Sequence, residues 1–159
     1  MRIDLSKLTW GRPLDDWPGE RWLDIRTENV YSIMKLRLDL AMQKGCDGVE
    51  PDNMDGFTND NGVNLTATDQ LAFNRFVANE AHLRNLSVGL KNDLLQINEL
   101  VAYFDFAVNE RCFEFSECYY LAPFINNGKP VLNVEYKQDY VDDSSQRDAV
   151  CADASYATT

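Results

Sequence analysis

Between positions 28 and 44 the apolar residues Val30, Ile33, Met34, Leu38, Ala41 and Met42 recur at helical spacing. Gly45 then supplies a stop, so the pattern predicts an amphipathic helix over 28–44. Leu71, Phe76, Val77 and Ala81 share one face in the same way and predict a second helix over about 68–83. Short apolar runs of strand length lie at 21–25, 46–50, 86–90, 104–108 and 130–134. Pro51 breaks the second run, and a polar loop rich in Asp, Asn and Gly fills 52–64. Asn92 reads as the N-cap of a helix over 93–103, and a short helix is expected near 119–125. From Lys137 onward the chain is polar with little periodicity, and Asp139, Asp142 and Asp143 lie close together. No internal repeat and no long linker divides it.

Strands alternating with helices specify βαβ units and a parallel sheet, an α/β fold. Each apolar run also ends in polar functional groups: Asp24, then Glu50 and Asp52, then Lys91 and Asn92, then Asn109 and Glu110, then Glu135 and Tyr136. Polar groups gathered at the carboxyl ends of parallel strands are the active-site arrangement of α/β architectures, above all the TIM barrel. Strand ends are often polar for no functional reason, which covers one or two such cases but not the whole series.

Composition narrows the partners. At 45% hydrophobic and 26% charged residues the chain is globular rather than disordered. A formal charge of −11 repels phosphate backbones, which argues against nucleic acid and anionic membranes as partners. No apolar run approaches a membrane span, and the opening residues lack the apolar core of a signal peptide. Cys46, Cys112, Cys118 and Cys151 include no CxxC pair, so a zinc ribbon or thioredoxin-type site is disfavoured. Cys112 and Cys118 stand at a spacing that can close a small disulfide. Asn64-Leu65-Thr66 and Asn85-Leu86-Ser87 are glycosylation sequons. Together these features lead us to expect an extracellular protein whose leader is missing from this chain.

The chemistry on offer is carboxylate chemistry. Asp55-Gly56 and Asn61-Gly62 are turns, without a Gly-rich phosphate loop. His82 is the only histidine and falls on the second helix, far from any strand end. Ser-His-Asp catalysis and His-based metal sites are therefore disfavoured. Two carboxyl groups facing each other over a concave site can cleave a glycosidic bond, one as acid and the other as nucleophile or base. Clustered carboxylates can alternatively hold Mg²⁺ or Ca²⁺. The stretch 52–59 has a calcium-loop look but lacks the 12-residue spacing and the closing Glu. On the residues alone, Asp24, Glu50, Asp52, Glu110 and Glu135 are not told apart.

The run Gly45-Cys46-Asp47-Gly48-Val49-Glu50-Pro51-Asp52-Asn53-Met54-Asp55-Gly56-Phe57 resembles the hallmark segment of glycoside hydrolase family 114. The likeness continues, in the family's order, through Trp22-Leu23-Asp24-Ile25, Ala81-His82, Val88-Gly89-Leu90-Lys91-Asn92, Val108-Asn109-Glu110-Arg111-Cys112, Glu117-Cys118 and Val134-Glu135-Tyr136. These are TIM-barrel endo-α-1,4-polygalactosaminidases, and many members carry loose alpha-galactosidase labels. The resemblance implies retaining hydrolysis of α-1,4-linked galactosamine or N-acetylgalactosamine polymers, such as galactosaminogalactan, without a cofactor or metal. It implies Asp52 as nucleophile and Glu110 as general acid/base. Asp24, Glu50, Asn53, Lys91, Asn92, Glu135 and Tyr136 would line the substrate cleft, where acidic groups suit a cationic amino sugar.

The expected architecture is a partial (β/α)8 barrel of about five βα units, resembling strands four to eight. It would occupy 1–136, with a polar tail over 137–159 that starts the family's closing segment. A complete barrel needs eight units and typically about 250 residues, so truncation at both ends is expected. A completed barrel is expected to be a monomer. Two alternatives stay open: an inactive carbohydrate-binding remnant, and an alpha-galactosidase-type exo-activity. A divalent-metal-dependent use of the same carboxylates is a weaker third, testable by EDTA sensitivity.

Overall fold

In a computed structural model describing residues 9–154, the backbone of the site is a parallel sheet whose strands lie side by side in chain order. A hairpin comes first: β1 (Trp10–Pro13) pairs antiparallel with β2 (Arg21–Leu23). Then follow α1 (Glu28–Gln43), β3 (Gly48–Val49), α2 (Ala67–His82) and β4 (Ser87–Lys91). The chain continues through α3 (Ile97–Leu100), β5 (Phe106–Glu110), α4 (Ala122–Asn126) and β6 (Val131–Val134). Two helices, α5 (Gln138–Asp142) and α6 (Ser144–Ala154), close the described chain. The sheet order is β3-β4-β5-β6, all parallel. This is the α/β arrangement expected from the alternation, and it matches part of a TIM barrel.

Local sequence explains the elements. α1 buries Val30, Ile33 and Leu38, and Gly45 follows it in the left-handed region at φ 75°. α2 begins at a capping box in which Thr66 and Asp69 satisfy each other's backbone N–H groups. In β4, Val88, Gly89 and Leu90 are all buried, as befits a strand covered on both faces. The core around them includes Phe104, Ile97, Leu100, Ala107 and Phe124.

Three expectations change. Residues 21–25 do not supply the first of five parallel strands. Their stretch pairs instead with Trp10–Pro13, Trp10 opposite Leu23, and the Arg21 guanidinium donates to the Gly11 carbonyl at 2.8 and 3.0 Å. Asn92 is no N-cap: Asn92 and Asp93 are both left-handed, a 3₁₀ turn follows over Leu94–Gln96, and α3 is a single short turn. The stretch after Lys137 is helical despite its weak apolar pattern.

Gly89 sits opposite Phe106 across the β4–β5 ladder, and a Cβ there would run into the Phe106 ring. Gly89→Ala is expected to destabilise the chain by about 1–3 kcal/mol through this overpacking, read as a lowered midpoint in denaturant unfolding. An unchanged midpoint would mean that the ring can move aside at no cost.

Candidate active site

Because the four strands are parallel, their carboxyl ends share one edge of the sheet, and the polar residues that terminate them converge there. The backbone just beyond each of three ends turns sharply through a left-handed residue: Asn53 (φ 55°), Asn92 (φ 52°) and Arg111 (φ 68°). Asn tolerates this region, whereas Arg does so at a cost. Each turn is pinned by a hydrogen bond. The Asn53 N–H donates to Asp52 Oδ1 at 3.0 Å, the Asn92 N–H to the Val108 carbonyl at 2.9 Å, and the Arg111 N–H to the Val134 carbonyl at 2.8 Å.

Lys91 stands at the centre. Its ammonium lies 3.1 Å from Glu50 Oε1, 3.3 Å from Asp52 Oδ1 and 3.4 Å from Glu110 Oε2. Its side chain is only 11% exposed, while that of Asp52 is 65% exposed toward solvent. Burial alone would lower the Lys91 pKa, but the contacts with Glu50, Asp52 and Glu110 outweigh it and hold the group well above its ordinary value. Lys91 is therefore a permanent cation among three carboxylates.

Glu110 has a fuller set of partners. Tyr136 donates from its hydroxyl to Glu110 Oε1 at 2.6 Å, and Asn92 Nδ2 donates to Oε2 at 3.2 Å. The Glu110 N–H in turn donates to Asn92 Oδ1 at 2.9 Å, so Asn92 clamps both the backbone and the carboxylate of Glu110. Burial raises the Glu110 pKa, yet the bonds from Tyr136 and Asn92 and the charge of Lys91 prevail and leave it below its ordinary value. The Tyr136 hydroxyl is correspondingly raised by its bond to that carboxylate.

The structure thus brings Glu50, Asp52, Lys91, Asn92, Glu110 and Tyr136 together. Asn53 and Asn92 also line a cleft of about 470 Å³ beside the cluster, with Asp55 and with Trp17 and Trp22 of the hairpin region; Asp52, Lys91 and Glu110 are not part of its lining. Two further sequence candidates are engaged elsewhere. Asp24 forms a two-pronged ion pair with Arg26 at 2.8 and 2.9 Å, which lowers its pKa. Glu135 accepts from the Phe113 N–H at 2.9 Å and from Asn133 at 3.0 Å. It thereby ties the end of β6 to the loop that a Cys112–Cys118 disulfide closes. Cys46 and Cys151 are free thiols. His82 does lie near a strand, but at the opposite edge: its Nε2 is 3.0 Å from Asp105, just before β5.

Sequence reasoning passed over two acids beneath the cluster. Burial raises the Asp55 pKa, as do the charges of Asp52 and Glu110. Asp93 is 2% exposed, accepts from Asn74 at 2.8 Å, and is pushed up to about 8, first by burial and then by Asp55. The signal for Asp55 was its place in the hallmark run; Asp93 directly follows Lys91-Asn92. Among the described residues no group of three or more His, Cys, Asp or Glu side chains is arranged to hold a metal ion. The Lys91 ammonium occupies the point between the three carboxylates where a cation would sit.

The chain matches the family model of glycoside-hydrolase family GH114 over residues 3–158. It is similar to the crystal structure of Aspergillus fumigatus Ega3 in complex with galactosamine, with 51% sequence identity and a TM-score of 0.79. The match covers 84% of this chain and 52% of the Ega3 chain, so this chain spans about half the length of that structure. No curated protein matches it.

Asp93 makes stability depend on pH. Its pKa lies above the value of about 3.9 for an unfolded chain, so the folded state keeps a proton that the unfolded state has lost. Its contribution to stability therefore falls as pH rises from about 4 to about 8 and is level beyond that. The charges that deepen the effect are Asp55 and Glu99; the Asn74 bond opposes it. Asp93→Asn, which suits the left-handed backbone, is expected to gain about 1 kcal/mol or more relative to the parent between pH 5 and pH 8. Denaturant unfolding at both pH values measures this, and parallel pH profiles for the two proteins would contradict it.

Proposed function

The chain belongs to glycoside-hydrolase family GH114, and on that footing we propose that its site cleaves α-1,4-linked galactosamine and N-acetylgalactosamine polymers with retention of configuration. The observation that carries the reading is the meeting of Asp52 and Glu110 on one nitrogen. Both carboxylates touch Lys91 Nζ, so their facing oxygens are no further apart than the sum of 3.3 and 3.4 Å. That ceiling is compatible with the roughly 5–5.5 Å separation of a retaining pair, which supports the reading.

In this reading the Asp52 carboxylate attacks the anomeric carbon while Glu110 gives its proton to the departing glycosidic oxygen. Water then attacks the glycosyl-Asp52 ester, passing its proton to the Glu110 carboxylate, and the free sugar and both carboxyl groups are regenerated. Glu110 must start protonated. A sugar that separates it from Lys91 and Tyr136 removes the contacts holding its pKa down and leaves the burial that raises it. Three carboxylates around one ammonium leave a surplus of negative charge, which favours a cationic amino sugar. The bound galactosamine in the Ega3 structure agrees with that class. The Cys112–Cys118 disulfide and the exposed sequon asparagines Asn64 and Asn85 support an extracellular setting.

A second reading, sugar binding without turnover, draws on the open edges of the sheet at β3 and β6, since a closed barrel has none. Hydrolysis of a defined, partly N-acetylated α-1,4-galactosamine oligomer separates the two. Turnover by the parent chain is expected, falling by about 10²–10⁴-fold in Glu110→Gln and to background in Asp52→Asn. Binding without turnover in all three proteins would favour the second reading.

Tyr136→Phe removes the hydroxyl that donates to Glu110, so the Glu110 pKa rises. Since the acid form is the competent one, the alkaline limb of the kcat/KM profile is expected to move to higher pH. A limb that stays in place would detach Glu110 from the acid role.

A further inference from the structure

The apolar face of α2 carries two polar side chains that no cleft chemistry uses, Gln70 and Asn74, 1% and 0% exposed among Phe73, Val77, Ala78 and Ala81. A carboxamide in a core must find partners or destabilise it, and a Leu would pack there without that demand. Asn74 spends both of its N–H groups on the candidate site's supporting loops. One hydrogen bond goes to the Met54 carbonyl at 2.9 Å, two residues beyond Asp52. The other goes to Asp93 Oδ2 at 2.8 Å, two residues beyond Lys91. Gln70 Nε2 donates to Asn74 Oδ1 at 2.8 Å, which fixes the direction in which the carboxamide faces.

We propose that Asn74 is a positioning residue: its carboxamide spans the loops after β3 and β4 and so sets the separation of Asp52 from Lys91. Both loops pass through left-handed residues, Asn53 in one and Asn92 and Asp93 in the other, so neither conformation is the chain's relaxed choice. The Asn74 bonds hold them from below, while the Lys91 ion pairs join them from above. The proposal rests on the reading of Asp52 as nucleophile only for its kinetic consequence; the geometric consequence stands apart from it.

The test compares the full parent chain with Asn74→Leu and with Val77→Ala, which cuts a buried side chain from the next turn of the same helix and touches neither loop bond. Crystal structures give the Lys91 Nζ–Asp52 Oδ1 distance, and turnover of the partly N-acetylated α-1,4-galactosamine oligomer gives kcat and KM. In Asn74→Leu the 3.3 Å contact is expected to be lost and kcat to fall on the order of 10²-fold with KM little changed. Val77→Ala is expected to keep both the contact and kcat despite lower thermal stability. A contact or a kcat that survives in Asn74→Leu overturns the proposal, as does an equal loss in Val77→Ala. Where Asn74→Leu does not fold, Gln70→Leu is read by the same criteria, since it frees the carboxamide to turn. Should the parent itself show no turnover, the functional reading fails and the crystallographic distance alone decides the positioning role.

Discussion

Glu50 and Asp52 approach from the end of β3 and Glu110 from the end of β5, and without the ammonium of Lys91, at the end of β4 between them, their charges would drive those ends apart. Everything else at the site presupposes that ion cluster. The parallel sheet delivers its members to one edge, and the register that places Lys91 opposite Val108 sets Glu110 two residues further along β5, within reach of the Lys91 ammonium. Low exposure around Lys91 strengthens each pairing relative to a surface ion pair, whose worth is small. The cluster also keeps an excess of negative charge, which a cationic sugar can neutralise.

Beneath the cluster a second layer of polar contacts carries the backbone. Asn92 clamps Glu110 through its side chain and β5 through its N–H, while Asn74 bridges the loops after β3 and β4. Glu135 and the Cys112–Cys118 loop brace the β5 and β6 ends from the far side. The β1–β2 hairpin leans on the loop after β3, where the Arg12 N–H meets the Asn61 carbonyl, and this contact leaves Trp17 and Trp22 along the cleft. Strained turns beside Asp52, Lys91 and Glu110 are thus held by contacts from neighbouring loops and strands.

What a sequence shows is governed by how local the cause is. The Val88–Leu90 run with its terminal Lys91 and the apolar faces of α1 and α2 are short-range patterns, and all were legible. The pairing of Arg21–Leu23 with Trp10–Pro13 is not, because β1 contains Gly11 and Pro13 and carries little strand signal of its own. Asn92 is a residue suited equally to an N-cap and to a left-handed turn, and tertiary contacts decided for the turn. Whether a strand-end carboxylate faces the cleft or an arginine next to it, as Asp24 does, depends on side-chain pairing that spacing cannot reveal. Gln70 and Asn74 look like surface residues in any helical pattern; only their burial shows otherwise.

Asp52 and Glu110, gathered on Lys91, are proposed to act as a retaining pair. Proton NMR of the anomeric signal during the first minutes of oligomer hydrolysis tests that role most directly, before mutarotation blurs the product. The α-anomer is expected to appear first and the β-anomer only by later equilibration. Initial release of the β-anomer would overturn that role, because inversion places a water rather than the Asp52 carboxylate at the anomeric carbon.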